Sequence, residues 1–527
     1  MGNKIRIALS IFFVCILYAI SSVSIWKNFQ QVPKDRYYFG SVDYAIDVLG
    51  NLTTVRQGFL GNWQRHSSVT STIVGKPTFL KFEYILIGQI ARISGVDPIY
   101  MYYVARTVLS LATIATIVWL VYQIFSKSYQ QVTAMVIILF GTGITEPWKS
   151  YPYRIMDSMP GDALVLQRLT VAAPHYLLGI LLPLWSMIML SRFIDKKKFV
   201  YFPVSIITGI LATFVYSPSM ILVVASLFLL FIKKKVYRGA IFLYAIFSLL
   251  PIIYIRYVSQ FWDFNTFSKT EFVVPFRLAP IDYLFAVGIP FFFALFAIRK
   301  VLASRNTLLL IIVPWILMHP FASLFLANLI RMNPSRYFFG PYFVIFGILA
   351  TIGLREIISF IQQKTTKPLA YGVGAILVII IFVPSYISYG ASIQNIRNCF
   401  CNVQFFDYGY PKKDLMNAIF WLADHTKESD IVLSGPYAGI IIPAFSGNRV
   451  YTSFWLRLMD ESTFSETERM LQKFYGVFMT EEEIRALQIE YVLFGDQERQ
   501  YGGRNILDYP FLAKVASFGK TQVYKVN

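Results

Sequence analysis

Long apolar segments recur along most of this chain, and they constrain its fold more than any other feature. A chain with 56% hydrophobic and 15% charged residues has too much apolar surface for a soluble protein. A membrane-spanning helix needs ~20 residues to cross ~30 Å of hydrocarbon, so we predict a mainly α membrane protein, a polytopic helical bundle of about eleven spans. The candidate spans are residues 7–25, 99–125, 132–145, 172–193, 200–216, 220–232, 240–258, 281–298, 308–330, 337–354 and 369–388.

Clusters of basic residues separate the apolar segments, at residues 196–198, 233–235, 299–305 and 364–367. Cytoplasmic loops are rich in Lys and Arg, and all four clusters face the cytoplasm if segment 77–93 does not cross the membrane. At ~1.5 Å per residue that segment reaches about 25 Å, so we predict an interfacial helix there. The net charge of +19 then reflects loops facing anionic lipid, not nucleic-acid binding.

This topology places the N-terminus in the cytoplasm of a multi-pass protein of the cytoplasmic membrane. The predicted outer segments are residues 30–75, 146–170, 217–219, 259–280 and 331–336, together with the C-terminal tail.

The chain is predicted to have two domains. Residues 1–395 form the transmembrane domain, with the first outer loop and the interfacial helix at 26–95. Beyond that point strand-like segments at 431–434, 449–452 and 491–494 alternate with helix-like ones, which predicts an extracytoplasmic α/β domain over residues 396–527.

Two acids, Asp43 and Asp47, begin the first outer loop and would share one face of a short helix. A carboxylate at the membrane surface suits a general base or a metal ligand. Helix capping or a solvated turn is the alternative. The three cysteines provide no metal-binding set. These residues identify no certain cofactor, and a requirement for a divalent cation, Mg²⁺ or Mn²⁺, stays open.

Basic residues on the outer side need an explanation, because positive-inside statistics disfavour them there. Arginine binds phosphate bidentately without losing its proton, so phosphate binding is one explanation, and contact with lipid head groups is the other. The outer cations are Arg56, Arg65, Lys76, Arg154, Arg168, Arg256, Arg331 and Arg336.

Two further polar residues lie at or inside predicted spans. Arg106 is some seven residues into a span and must either pair or line a cavity. His175 starts a span after Pro174, where its imidazole either donates a hydrogen bond to a phosphate or substrate or satisfies backbone groups.

Several short motifs follow one another in a set order: Asp43-Tyr44, Val55-Arg56-Gln57-Gly58, Gly61-Asn62-Trp63, Lys76-Pro77, Ala105-Arg106, Pro174-His175-Tyr176, Pro334-Ser335-Arg336-Tyr337-Phe338 and Ile442-Pro443-Ala444-Phe445-Ser446-Gly447. With the predicted topology, this order resembles the C-type (GT-C) membrane glycosyltransferase superfamily over nearly the whole chain. That superfamily includes protein O-mannosyltransferases, the lipid A aminoarabinose transferase and oligosaccharyltransferases, and the chain is most similar to a group of bacterial members.

The chain departs from that family at two places. Residues 73–77 stand where members often carry a tandem Asp-Glu or Glu-x-x-Pro element, and Ser217-Pro218 replaces an expected His-Pro. Both departures leave the acceptor type and the metal requirement open.

The resemblance implies an inverting glycosyltransferase that moves a sugar from a polyprenyl-phosphate donor to a hydroxyl or amine of a glycan, lipid or protein acceptor, at the outer face of the bilayer. Asp43 would be the general base, with Asp47 as the second acid. Arg336 and Arg256 would stabilise the departing phosphate. The supporting residues would be Arg56, Lys76, Arg168 and His175 around the phosphate, with Tyr44, Arg106 and Pro174 in structural or cavity-lining positions.

Two other classes of function stay open. A lipid or glycan transporter would use the same outer arginines along a translocation path, but it should show repeated halves with broken helices, and we find no such repeat. A non-catalytic membrane scaffold is the third reading, and it predicts that loss of the Asp43 carboxylate has no effect.

Overall fold

The structure is a computed structural model, and it describes residues 10, 12–19, 22–41, 45–73, 75–141, 143, 169, 172–262, 278–330, 332–381, 383, 407–503 and 507–527. The chain forms two units that we treat separately. The first comprises Met1–Ser24, Arg106–Ile255 and Val274–Arg397, and the second comprises Ile25–Ala105, Arg256–Val273 and Asn398–Asn527.

Within the described residues, six helical stretches are long and apolar enough to cross a membrane. They are Pro98–Ile124, Pro174–Lys196, Tyr201–Lys233, Lys235–Val258, Thr307–Leu329 and Tyr342–Lys364. Shorter apolar helices, Ser128–Phe140 and Lys367–Ile381, lie on two more of the predicted spans. The predicted mainly α, multi-pass membrane fold is confirmed. Of the predicted span 7–25, residues 10, 12–19 and 22–25 are described, and residues 12–19 are helical.

Two of the predicted spans are built from short helical pieces. The predicted span 281–298 consists of Pro280–Val287, Ile289–Leu295 and Ile298–Leu302, and the first break is at Gly288, whose φ is +68°. The predicted span 308–330 contains Thr307–Ile312, Trp315–Phe321, a π-helix at Ala322–Leu326 and Ala327–Leu329. Proline removes a backbone donor, and its ring clashes with the carbonyl group four residues earlier, which accounts for the breaks near Pro314 and Pro320.

The stretch Tyr201–Lys233 is broken at Tyr216, whose φ of −151° and ψ of 77° are not helical. Pro218 follows two residues later, where a proline suits the first turn of a new helix. The two predicted spans 200–216 and 220–232 therefore meet at this break.

Ring contacts within the first unit show that the chain reverses direction at the break. Phe202 and Tyr237 both lie against the ring of Phe193, at centroid distances of 4.9 and 5.7 Å. Twelve residues beyond Phe202, the ring of Phe214 stacks on Tyr254 at 5.9 Å. Segments 202–214 and 237–254 thus run in the same direction, so the residues between them must return. We call this helical pair the hairpin, with its tip at Tyr216.

The second unit contains two helices that cross at very close range. We call Ala45–Phe59 the loop helix and Phe82–Ser94 the surface helix. Gly88 faces the carbonyl group of Val55, and Gly58 faces that of Ile85, so neither position has room for a Cβ. Only glycine permits this approach of two backbones.

The surface helix falls on the predicted interfacial segment 77–93 and, at ~1.5 Å per residue, is too short to span a bilayer. Leu86, Ile90 and Ile93 are exposed along one stripe of it. Its position at a membrane interface stays a prediction.

The second unit also holds a five-stranded sheet of order β2-β1-β3-β5-β4. The strands are β1 (Ile431–Leu433), β2 (Arg449–Val450), β3 (Tyr491–Phe494), β4 (Leu512–Phe518) and β5 (Thr521–Val526). Strand β1 pairs parallel with β2 and β3, whereas β5 pairs antiparallel with β3 and β4. The helices around it are Lys413–His425, Pro436–Phe445, Phe454–Met459, Glu461–Tyr475, Glu481–Ala486 and Asp496–Gly502. The predicted C-terminal α/β architecture is confirmed.

The loop helix and the sheet share one apolar core. Val48 and Leu52 of the loop helix belong to the same buried cluster as Ile419, Ile441 and Ile442. Both are parts of the second unit, so the first loop packs with the C-terminal α/β residues. The predicted boundary at 395/396 falls outside the described residues and stays a prediction.

Candidate functional site

Three segments of the first unit meet around a group of aromatic rings. They are the start of helix Pro174–Lys196, the tip of the hairpin, and the 3₁₀ helix Pro334–Phe339, which we call the arginine turn because it carries Arg336. The ring of Tyr176 stacks on Phe339 with centroids 4.1 Å apart, and it meets Tyr216 edge-on at 5.8 Å.

The arginine turn begins with its own cap. The side chain of Asn333 accepts a hydrogen bond from the backbone N–H of Ser335 at 2.9 Å, and Pro334 occupies the first position, where no N–H is needed. Near the end of the turn, the Tyr216 hydroxyl donates a hydrogen bond to the carbonyl oxygen of Arg336 at 2.5 Å. The backbone that carries Arg336 is therefore held from both sides, and its side chain is half-buried.

His175 lies in the same aromatic group. Its ring centroid is 3.9 Å from that of Tyr176 and 6.5 Å from that of Tyr216. Pro174, the first residue of the helix, is buried, and His175 is half-buried. Tyr216 thus links two predicted site residues, since its ring meets His175 and its hydroxyl binds the Arg336 carbonyl. An imidazole and a guanidinium at adjoining helix ends can bind an anion.

Arg106, also in the first unit, is 7% exposed on helix Pro98–Ile124. The prediction that it lines a cavity or pairs within the bundle stays a prediction, as does the phosphate-binding role of Arg168, which lies outside the described residues.

The acids predicted for catalysis belong to the second unit. Asp43 and Tyr44 lie outside the described residues. Asp47 is exposed in the first turn of the loop helix. One turn further along, the Asn51 side-chain oxygen accepts a hydrogen bond from Nζ of Lys81 at 3.0 Å. The catalytic roles of Asp43 and Asp47 stay predictions.

Arg56 lies near the last turn of the loop helix and points toward C-terminal residues of the second unit. Its Nε is 3.7 Å from the place where a Cβ on Gly447 would lie, and its guanidinium lies 5.3 Å from the centroid of the Phe59 ring. Burial lowers the pKa of Arg56, while the negative charges of Asp97, Asp424 and Glu428 act in the opposite direction. Its predicted role in phosphate binding stays a prediction.

Lys76 and Arg256 are both exposed in the second unit. The Lys76 ammonium lies 5.3 Å from the centroid of the Phe261 ring, a cation–π contact. Nη1 of Arg256 donates a hydrogen bond to the hydroxyl of Ser259 at 3.2 Å. The structure therefore places Lys76 against the short segment that follows Arg256.

Sequence reasoning missed three residues that the structure makes prominent. Tyr216 preceded a predicted turn, and its position before Ser217-Pro218 was the available signal. His319 is completely buried, and the available signal was a titratable side chain inside the predicted span 308–330. Glu83 interrupts an apolar stretch, and burial raises its pKa to about 7. Its Oε2 has no hydrogen-bond partner among the described residues.

No metal cluster is evident in the part of the chain that the structure describes, since no three His, Cys, Asp or Glu side chains there are placed to hold an ion. The question of Mg²⁺ or Mn²⁺ at Asp43 therefore stays open to experiment.

No protein-family model matches this chain, and no curated protein matches it. Several solved structures, in contrast, do match this chain. The oligosaccharyltransferase AglB from Archaeoglobus fulgidus, in complex with an inhibitory peptide and a dolichol-phosphate, aligns with a TM-score of 0.51 at 13% identity, covering 93% of this chain and 69% of that one. The apo form of the Archaeoglobus fulgidus oligosaccharyltransferase aligns with a TM-score of 0.52 at 12% identity over 92% and 69% of the two chains.

A third structure, ArnT from Cupriavidus metallidurans bound to undecaprenyl phosphate, aligns over 99% of this chain and 98% of that one, at 9% identity and a TM-score of 0.44. The oligosaccharyltransferase likenesses show that this chain has the fold of the C-type membrane glycosyltransferases, as its sequence motifs led us to expect. At these identities they show the fold alone.

Proposed function

We propose that this protein is an inverting glycosyltransferase that transfers a sugar from a polyprenyl-phosphate donor to an acceptor hydroxyl or amine. The observation that supports this most is the arginine turn, where Tyr216 binds the backbone carbonyl of a half-buried Arg336 and its ring lies 6.5 Å from that of His175. A guanidinium in such a place suits a phosphate head group, and the matching AglB structure contains a dolichol-phosphate.

In the proposed reaction, the acceptor oxygen or nitrogen attacks the anomeric carbon from the face opposite the phosphate. The bond from that carbon to the phosphate oxygen breaks, and its electron pair leaves with the phosphate. Asp43 takes the acceptor proton. Negative charge grows on the phosphate in an oxocarbenium-like transition state, so fixed cations stabilise this state more than the ground state.

Arg336 and His175 are the cations or donors that we assign to the phosphate in the first unit, with Arg168 as a further candidate. Lys76 and Arg256 are the candidates from the second unit, followed by Arg56. The charge clusters favour a topology with the N-terminus in the cytoplasm and the C-terminal domain outside, so the reaction would take place at the outer face of the cytoplasmic membrane.

The test incubates purified protein with a panel of radiolabelled polyprenyl-phosphate sugars and membrane extract, with and without Mg²⁺ or Mn²⁺. A general base supplies roughly 10²–10⁴-fold, so Asp43→Asn should lower turnover by at least about 100-fold while leaving donor binding intact. Arg336→Lys should weaken donor binding by roughly tenfold, because lysine cannot form the bidentate pair.

Matched control variants are Asp508→Asn and Arg305→Lys, which change exposed residues far from the aromatic group in sequence. They should behave as the wild type does. Movement of a lipid-linked sugar across vesicles without a glycosylated product would favour the transporter instead. Full activity in Asp43→Asn would contradict the proposed mechanism.

A further inference from the structure

His319 is a completely buried histidine in the first unit that no step of the proposed reaction uses. It lies near the end of helix Trp315–Phe321, just before Pro320 and the π-helix Ala322–Leu326. Five aromatic rings surround it at centroid distances between 5.0 and 6.3 Å: Phe338, Tyr342, Phe346, Tyr283 and Trp315. A polar ring in such a place must have its hydrogen-bonding atoms satisfied.

Both nitrogens of His319 have partners. Nδ1 lies 2.9 Å from the hydroxyl oxygen of Tyr283, and Nε2 lies 3.2 Å from the carbonyl oxygen of Tyr337. A carbonyl group only accepts, so Nε2 carries the hydrogen and donates it to Tyr337. In a neutral imidazole Nδ1 then accepts, and the Tyr283 hydroxyl donates to it. None of these hydrogen-bond partners and neighbouring rings is a carboxylate, which would favour the charged imidazolium form of His319.

The acceptor of this hydrogen bond belongs to the arginine turn. The carbonyl groups near the end of a short 3₁₀ helix are poorly satisfied by the helix itself and need other donors. Two side chains from different helices supply them here. Tyr216 donates to the carbonyl of Arg336, and His319 donates to the carbonyl of Tyr337, the very next residue.

The Arg336 carbonyl belongs to the peptide group that joins Arg336 to Tyr337, and the Tyr337 carbonyl belongs to the next peptide group, so one donor holds each of two consecutive peptide groups. Neither group can rotate without losing its hydrogen bond, and together they fix the backbone from which the Arg336 side chain leaves. Buried hydrogen-bond networks of this kind keep a functional side chain in place.

We infer that His319 is a positioning residue: as a neutral imidazole protonated at Nε2, it orients the arginine turn so that Arg336 meets the phosphate of the donor lipid. The carbonyl of Tyr337 selects this tautomer, and the hydroxyl of Tyr283 satisfies Nδ1 by donating a hydrogen bond to it. The inference rests on the proposed function, because it assigns to Arg336 the phosphate that the proposal gives it.

The test compares two substitutions, each of which places an amide group near the position of one of the two imidazole nitrogens. In His319→Gln, the side-chain nitrogen corresponds to Nε2 and still donates to Tyr337. In His319→Asn, the side chain is too short for that bond and corresponds only to the Nδ1 side. The probe is farnesyl phosphate, a short polyprenyl phosphate, and its Kd is measured in detergent together with the melting temperature of each variant.

We expect His319→Asn to raise the Kd of farnesyl phosphate about tenfold, or about 1.4 kcal/mol. We expect His319→Gln to stay within about threefold of the wild type. The control is His425→Asn, an exposed histidine of the C-terminal region whose Nδ1 bonds its own helix. Equal Kd values for the wild type and His319→Asn would overturn the inference, and so would equal losses in both His319 variants that follow their melting temperatures.

A second measurement reads the tautomer directly. The chain has four histidines, so ¹⁵N-histidine labelling gives few signals, and the one missing in His319→Gln belongs to His319. The inference requires that signal to show a neutral ring protonated at Nε2, and a ring protonated at Nδ1 or at both nitrogens would overturn it.

The outcomes separate this inference from the proposed function. If the wild type binds farnesyl phosphate but makes no glycosylated product, the proposed function fails. The role of His319 is then still decided by the Kd values of its two variants. If the wild type transfers sugar and His319→Asn binds donor normally, the inference alone fails. If the wild type binds no polyprenyl phosphate, both fail.

Discussion

The hydroxyl group of Tyr216 donates a hydrogen bond to the carbonyl oxygen of Arg336 over 2.5 Å. It thereby joins the tip of the hairpin to the arginine turn, two places that are 120 residues apart in the chain. Tyr216 is also the residue at which the backbone leaves the helical conformation. The direction of the chain at that break therefore affects where the guanidinium of Arg336 lies.

Tyr216→Phe removes the hydroxyl and keeps the ring contacts with His175 and Tyr176. A net hydrogen bond contributes about 0.5–1.5 kcal/mol, so we expect the Kd of farnesyl phosphate to rise roughly 3- to 10-fold with little change in melting temperature. Tyr201→Phe, at the other end of the same hairpin arm, is the matched control and should bind as the wild type does. Unchanged binding by Tyr216→Phe would show that this hydrogen bond does not orient Arg336.

Glu83 should make stability depend on pH. Burial raises its pKa from 4.5 to about 7, so between these values the folded protein holds a proton that the unfolded chain releases. Stability must then fall as the pH rises through this window, by up to about 3 kcal/mol at 1.36 kcal/mol per unit.

In Glu83→Gln this contribution is absent, because the amide has no charge to bury. We expect the melting temperature of Glu83→Gln to exceed that of the wild type by more at about pH 8 than at about pH 5. Glu482→Gln, an exposed residue in the first turn of helix Glu481–Ala486, should show no such difference. A constant difference across this pH range would contradict the prediction.

Gly88→Ala should force the surface helix and the loop helix apart, because the added Cβ would overlap the carbonyl oxygen of Val55. Overpacking typically costs about 1–3 kcal/mol, and we expect a lower melting temperature together with loss of transferase activity. Gly239→Ala is the matched control, since nothing lies within 4 Å of its added Cβ and the residue is helical. The free energy of unfolding of Gly239→Ala should rise by about 0.5–1 kcal/mol. A lower melting temperature for Gly239→Ala would show that the loss in Gly88→Ala is not specific to the helix contact.

Glu498 holds together the edge of the C-terminal sheet where β1 and β3 end. Its buried carboxylate accepts hydrogen bonds from the backbone N–H groups of Gly435 at 2.7 Å and Gly495 at 2.9 Å. Glu498→Ala leaves both donors unsatisfied, at about 1–3 kcal/mol each, so we expect a marked drop in melting temperature. Glu466→Ala, an exposed acid of helix Glu461–Tyr475, should have a small effect, and equal effects would contradict this role.

The sequence alone predicts much of the fold, because its strongest signals are local. Apolar runs near 20 residues must be helical in hydrocarbon, where every backbone group needs a partner within its own segment. Short apolar runs predict strands at 431–434 and 491–494, and the structure contains β1 and β3 there. The periodicity and the length of an apolar run depend only on residues that are close in sequence, so these elements can be predicted without knowing any distant contact.

The candidate site was predictable only in part. Arg336 and His175 could be selected because charged and titratable residues are rare at the ends of apolar helices. The sequence could not predict that Tyr216 connects them, because this connection depends on a helix break and on two segments 120 residues apart. Arg56 shows the same limit, since the sequence could not reveal that its side chain turns toward Gly447.

The apolar and charged patterns of the sequence determined that this protein crosses the membrane in helices and that an α/β domain follows. They also determined that arginine and lysine side chains lie in the predicted outer loops. Only the tertiary structure decided which of these side chains are buried and which atoms they contact, as at Glu83 and His319. The physical reason is that apolar periodicity is set by adjacent residues, whereas burial and hydrogen-bond partners are set by residues that meet only after the chain has folded.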